Sequence, residues 1–207
     1  SVRYHGRYGL IDRSGREVAP CVYEQEVYYS EGLIALNRQG KWGYVDLDGK
    51  TVIPFEYDNA NFFCNGLAAV KKNNGWGYID KTGRVVIPLD YQGVDETNKN
   101  PGPLYGMQYG MKWGYVNNIG EKVIPFLYDN VGPFYHGLAA VQDGKWNLIN
   151  EKGIRITPRF QYIYYCSNTQ QWIIIGNNDK KGLLDKDGNV ILKLLYSHIG
   201  FYINGLR

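Results

Sequence analysis

An all-β chain of tandem repeats is predicted by three features of the sequence. A tryptophan-type position recurs at Tyr8, Trp42, Trp76, Trp113, Trp146 and Lys181, at intervals of 34, 34, 37, 33 and 35 residues. Glycine follows it at Gly9, Gly43, Gly77, Gly114 and Gly182, with Asn147 the departure. Between these landmarks the apolar residues fall in short strand-length runs bounded by Gly, Pro and Asp, with no helical period. A fixed period of this size marks units that cannot bury an apolar face alone and must stack on their neighbours. The expectation is a single domain over 1–207, an open, solenoid-like stack of about six three-stranded units. A closed propeller-like ring is the alternative, although a propeller blade normally takes four strands and about 40 residues.

Each unit reads in the same order. The tryptophan and glycine open a short strand that ends on a polar residue: Asp12, Asp46, Asp80, Asn117, Asn150 and Asp185. A turn glycine stands three residues later, at Gly15, Gly49, Gly83, Gly120, Gly153 and Gly188, and an Asx side chain bonding its own turn backbone explains the pairing. The return strand carries Val-Ile-Pro or a relative of it, with Pro20, Pro54, Pro88 and Pro125. Proline cannot donate to a ladder, so it should stop the strand or lie at an edge. Tyr23, Tyr57, Tyr91, Tyr128 and Tyr196 follow, with an acid after three of them at Glu24, Asp58 and Asp129. The next unit then begins at Gly32-Leu33, Gly66-Leu67 or Gly137-Leu138.

From Lys41 to Val70 this order runs Trp42-Gly43-Tyr44-Val45-Asp46, Gly49, Val52-Ile53-Pro54, Tyr57-Asp58, Phe63 and Gly66-Leu67-Ala68-Ala69-Val70. The pattern resembles the bacterial WG repeats, and the resemblance covers essentially the whole chain. It implies a binding or structural module and brings no catalytic residues with it.

Charge and composition narrow the function. The net charge is +3, with basic residues scattered singly or in pairs such as Lys71-Lys72. Nucleic-acid binders concentrate such charge on one face, so no nucleic-acid partner is expected. No apolar run is long enough for a membrane helix. Cys21, Cys64 and Cys166 are odd in number and far apart, so they read as small buried apolar residues. Unpaired cysteines favour a reducing, cytoplasmic setting, while a signal segment upstream of Ser1 would make the protein exported. His5, His136 and His198 fall at different repeat positions and have no metal-ligand spacing. Asp185-Lys186-Asp187-Gly188-Asn189 lacks the later acid of a calcium loop. Hydrolase, zinc-protease and phosphate-loop motifs are missing. The expectation is a non-enzymatic module with no cofactor and no metal, serving a protein partner or another domain of the same parent chain. Binding of a glycan or cell-wall ligand through surface aromatics is the alternative.

Two features carry the candidate binding residues. Tyr29, Phe63, Phe134 and Tyr202 fit a core position, so Tyr28, Phe62, Tyr135 and Phe201 would point the other way as a row of stacking platforms. The segment from Gly93 to Pro103 is polar and rich in Pro and Gly, an exposed loop in which Asp95 and Glu96 are the candidate contacts. Trp42, Trp76, Trp113 and Trp146 are read as structural joints, with the following glycine leaving room for the ring. Gly49, Gly83 and Gly120 and Pro54, Pro88 and Pro125 are read as structural too.

Overall fold

The computed structural model describes residues 1–24, 28–95, 103–165 and 172–199, and among these it contains strands and turns and no helix. The first sheet holds β1 (Val2–Tyr4), β2 (Arg7–Ile11) and β3 (Glu17–Tyr23). The second holds β4 (Tyr28–Ser30), β5 (Leu33–Arg38), β6 (Lys41–Val45) and β7 (Thr51–Tyr57). The third holds β8 (Asn59–Ala60), β9 (Leu67–Lys72), β10 (Gly75–Asp80) and β11 (Val85–Tyr91). The fourth holds β12 (Gly93–Val94), β13 (Leu104–Tyr109), β14 (Lys112–Asn117) and β15 (Lys122–Tyr128). The fifth holds β16 (Asn130–Val131), β17 (Leu138–Asp143) and β18 (Lys145–Asn150). The sixth holds β19 (Tyr162–Tyr165), β20 (Trp172–Asn177), β21 (Lys180–Asp185) and β22 (Val190–Tyr196).

All six sheets are antiparallel meanders whose strands neighbour one another in chain order, and four of them have four strands. The additional strand is the short segment that follows the repeated tyrosine, such as Asn59–Ala60 against Val70 and Lys71. Two residues are too few for an apolar alternation to announce a strand. This meander is the build of a propeller blade.

Five core clusters hold the array together, and each is shared by consecutive sheets. Between the second and third sheets, Trp42, Tyr44, Ile53 and Tyr57 pack against Ala68, Val70 and Ile79. No cluster joins the first sheet to the sixth, and closure of the array is not found among the described residues.

The proline strands lie at sheet edges and run straight through their prolines, as β7 does through Pro54. A bulge makes this possible: Trp42 pairs with Tyr57 while Tyr44, two residues on, pairs with Ile53, four residues back. The glycine after each tryptophan lies opposite the bulge. A Cβ on Gly43 would stand 2.8 Å from the Ile53 carbonyl oxygen and 2.9 Å from Phe55 Cα. The space is therefore filled by the backbone of the same sheet's edge strand. The expectation that it receives the tryptophan ring is corrected.

The fifth sheet shows what happens without that glycine. Asn147 is 1% exposed, and beyond β18 the chain forms isolated bridges at Trp146 with Phe160 and Ile149 with Arg155, in place of a fourth strand. Arg155 Nε donates to Asn147 Oδ1 at 3.3 Å, and the Thr157 hydroxyl accepts from the Leu148 amide at 3.0 Å.

Six turns of one kind follow the tryptophan strands. Asp12 Oδ1 accepts from the Ser14 and Arg16 amides at 2.9 and 3.0 Å, and Asp46, Asp80, Asn117, Asn150 and Asp185 repeat this in their own turns. The bonds from Ser14, Thr82 and Asn189 side chains are the leading reason Asp12, Asp80 and Asp185 titrate below the ordinary carboxylate range. Gly49, Gly83 and Gly120 stand in these turns at φ of +77°, +85° and +84°, which only glycine adopts at no steric cost.

A second set of polar bonds staples consecutive sheets. The side chains of Asp58, Gln92, Asp129 and Gln161 accept the backbone N–H of Asn73, Gly110, Gly144 and Asn178, each in a tight turn of the following sheet. Asp58 and Asp129 also bind Lys41 and Lys112, the residues before the tryptophans, and those ammonium groups are the first cause of their lowered pKa.

Candidate binding surface

Of the four aromatics expected to form a row, Tyr28, Phe62, Tyr135 and Phe201, two have side chains among the described residues. Phe62 and Tyr135 are half-buried. Tyr135 forms a bridge with Leu138 at the repeat position where Cys64 bridges Leu67, so its counterpart in the third sheet is a cysteine and that of Phe62 in the fifth is Pro133. The side chain of Tyr28, and all of Phe201 and Glu96, lie outside the described residues.

The opposite row divides. Phe63 and Phe134 are buried, their ring centroids 4.9 Å from Tyr44 and Tyr115 respectively. The two tyrosine hydroxyls donate to the carbonyls of Asn61 and Gly132 at 2.7 Å. Burial drives the Tyr44 hydroxyl far above its ordinary pKa, so it stays a donor. Tyr29 is 51% exposed, which corrects its placement in the core, and Tyr202 is outside the described residues.

Asp95 is buried, and Gly93–Val94 before it pairs with Gln108 and Met107. The exposed loop expected from Gly93 therefore does not include its first three residues. The Asp95 amide donates to the Gly106 carbonyl, the bond that Asn61 and Gly132 make in their own sheets. Its carboxylate raises the pKa of Tyr78 and Tyr135, in both cases after the larger effect of burial. Cys21 and Cys64 are half-buried where full burial was expected, and Cys166 is not among the described residues. His5, His136 and His198 are exposed. Among the described residues no cluster of His, Cys, Asp and Glu could hold a metal ion, and no helix is long and apolar enough to cross a membrane.

An aromatic cluster that did not stand out in the sequence sits at the seam of the third and fourth sheets. The last residue of the strand before each tryptophan strand pairs with the residue before the tryptophan position: Tyr4, Arg38, Lys72, Tyr109, Asp143 and Asn177. In the second and third sheets a cation here lies over a ring, Arg38 on Phe55 at 4.9 Å and Lys72 on Tyr57 at 5.8 Å. In the fourth, Tyr109 takes that place. Its centroid is 6.1 Å from Tyr91 and 5.9 Å from Phe126, which are 5.9 Å from each other, so three rings close a triangle. Lys122 Nζ returns a cation, 5.1 Å from the Tyr109 centroid and 5.6 Å from that of Phe126.

Tyr91 is buried and Phe126 half-buried, whereas Tyr109 is 52% and Met111, in the adjoining turn, 89% exposed. Tyr109 is thus an exposed ring on a packed base, beside a flexible thioether and a cation. Aligning the units by their tryptophan sets Tyr109 against Tyr4, Arg38, Lys72, Gln142 and Asn177, so an aromatic holds this position in two units.

A second concave feature lies on the sixth sheet. A cleft of about 460 Å³ is lined by Tyr162, Tyr164, Ile174, Asp179, Lys181 and Ser197 among others, with the two tyrosine rings 5.3 Å apart. Lys181 stands where the other units carry an aromatic ring, which leaves this face more polar than its counterparts.

The WG containing repeat model matches residues 8–42, 42–76, 76–101, 113–146 and 182–206. The chain belongs to the WG repeat family. The matches pass over most of the unit that begins at Trp146, where Asn147 replaces the glycine of the WG pair and the fourth strand is missing. No curated protein matches the chain. Among solved structures, Kluyveromyces lactis Hsv2 with its complete 6CD loop is similar over 81% of this chain at 9% identity, with a TM-score of 0.52. Apo AztD from Citrobacter koseri aligns over 84% of the chain at 13% identity and a TM-score of 0.41. The WG repeat chain spans 63% of that Hsv2 chain and 59% of AztD. The likeness to Hsv2 is one of fold, an all-β array of small antiparallel sheets.

Proposed function

We propose that this WG repeat array is a non-catalytic module that binds a protein partner, or another domain of its own parent chain, through the Tyr91, Tyr109 and Phe126 cluster. The observation that carries this is the exposed Tyr109 ring packed on Tyr91 and Phe126, with exposed Met111 in the adjoining turn. Repeat arrays present extended, rigid surfaces of this kind, and rigid aromatics give contact area at low entropic cost. A photocrosslinking residue at Met111 tests the reading, with one at Ile119, which is also exposed, as control. Adducts from position 111 that vanish in Tyr109→Ser support it. Equal capture from both positions, or none, rejects it.

A second reading, a glycan bound on the sixth sheet, is favoured by the cleft between Tyr162 and Tyr164. Its polar rim of Asp179, Lys181 and Ser197 could bond hydroxyls while the rings stack on a sugar face. Titration of soluble oligosaccharides against tyrosine fluorescence checks it: a saturable change lost in Tyr164→Ser supports a glycan, and a flat titration rejects it.

A further inference from the structure

One rung of paired residues crosses each sheet at the tryptophan position. In the third sheet it reads Asn59, Lys71, Trp76 and Tyr91. In the fourth it reads Gly93, Gln108, Trp113 and Tyr128, and in the fifth Asn130, Gln142, Trp146 and Phe160. Residues on one rung share a face of the sheet. In these three the indole stands beside a long polar side chain, and the short strand carries only asparagine or glycine.

The sixth sheet inverts that order. Its rung reads Tyr162, Gly176, Lys181 and Tyr196, so a ring has moved to the short strand and a cation to the tryptophan position. Gly176 makes this possible, since a Cβ there would stand 1.8 Å from Tyr162 Cζ. The Tyr162 ring therefore lies on the backbone of β20, over the residue that pairs with Lys181. Tyr164, 61% exposed, sets its ring 5.3 Å away. Both rings and Lys181 line the cleft of this sheet. Lys181 is half-buried, and among the described residues no carboxylate lies within ion-pair reach of it. Asp179, the acid that also lines the cleft, is exposed in the adjoining turn.

On the glycan reading of this cleft, we infer that the sugar it takes is acidic: a hexuronic acid whose ring stacks on Tyr162 and Tyr164 while its carboxylate pairs with the Lys181 ammonium. A tyrosine face suits the apolar face of a sugar, and an opposite charge beside a half-buried cation offsets its desolvation. The Asp179 carboxylate and the Ser197 hydroxyl are left for the sugar hydroxyls, so each polar group of the cleft has a partner of its own kind.

Calorimetric titration with a galacturonic acid trisaccharide, and with the same trisaccharide as its methyl ester, separates charge from sugar. The acid should bind at least about tenfold tighter than the ester, as a charge-assisted contact does. Lys181→Met should bring the acid down to the level of the ester. Lys181→Trp, which installs the residue of four other units, should do the same and serves if the methionine variant melts early. Lys180→Met removes an equal charge from the exposed neighbour and should leave the preference intact. Ester binding as tightly as acid overturns the inference and leaves the glycan reading standing, whereas no binding of either overturns both. A preference that survives Lys181→Met, or that Lys180→Met abolishes equally, assigns it to the general basic charge of the chain and also overturns the inference.

Discussion

The carbonyl oxygen of Ile53 lies 2.8 Å from the point where a Cβ on Gly43 would stand. The same closeness recurs at Gly114 with the Ile124 carbonyl and at Gly182 with that of Leu192, both at 2.7 Å. The bulged edge strand can fold onto the tryptophan strand only where the residue after the tryptophan has no side chain. Gly43→Ala should therefore cost about 2 to 3 kcal/mol, as overpacking against backbone does. For a chain of this size that is a fall in melting temperature of roughly 5 to 10 °C, read by calorimetry. An unchanged melt would show that the edge strand yields freely.

Adjacent residues of the third unit should behave differently. Phe63 is buried against Tyr44, and Phe62 is half-buried. Phe63→Ala should cost about 3 to 5 kcal/mol, and Phe62→Ala about half as much. Chemical denaturation of the two variants measures the difference, and equal losses would mean that Phe62 is as much a part of the core as Phe63.

The turn of Glu31 connects two sheets and a thiol. Its carboxylate binds Lys81 Nζ and accepts the Gly66 amide, both at 3.0 Å, and the Lys81 bond is the first cause of its lowered pKa. Burial raises the Cys64 thiol, and the Glu31 charge raises it further. Glu31→Gln should shift stability by less than about 1 kcal/mol, as exposed pairs do. It should also speed alkylation of Cys64 at fixed pH, because more of the thiol is ionised. Mass spectrometry of the modified peptide gives the rate, and a slower rate would contradict the electrostatic assignment.

Acid should loosen the array from its turns and staples. Asp12, Asp58, Asp80, Asp129 and Asp185 all have folded-state pKa values held below the ordinary aspartate value. A depressed folded pKa contributes stability that is present above the unfolded value, about 3.9, and is lost as pH falls through the folded one. The melting temperature should thus change little from these groups between neutral pH and about pH 5, then decline below about pH 4. Asp58→Asn should flatten part of that decline.

The sequence was sufficient for the all-β class, the six units and the turn chemistry, because these depend on local facts. Asp46 bonds to Asp48 and Lys50, two and four residues away, and Gly49 needs only its own φ. Recurrence at near-constant spacing then makes each local reading six readings. The short strand at Asn59–Ala60 was not legible, since two residues carry no alternation and acquire strand character only by pairing with Val70 and Lys71. The meaning of the glycine in the WG pair was not legible either, because the backbone that fills its space comes from ten residues further along and is brought there by a bulge. Tyr109 became a candidate contact only when folding set it against Tyr91 and Phe126 from two different strands. Lys181 is likewise an ordinary lysine until strand pairing sets it across Gly176 from Tyr162. Period and turn identity are properties of consecutive residues, whereas edges, seams and clefts are properties of which strands meet, and that is decided by packing between sheets.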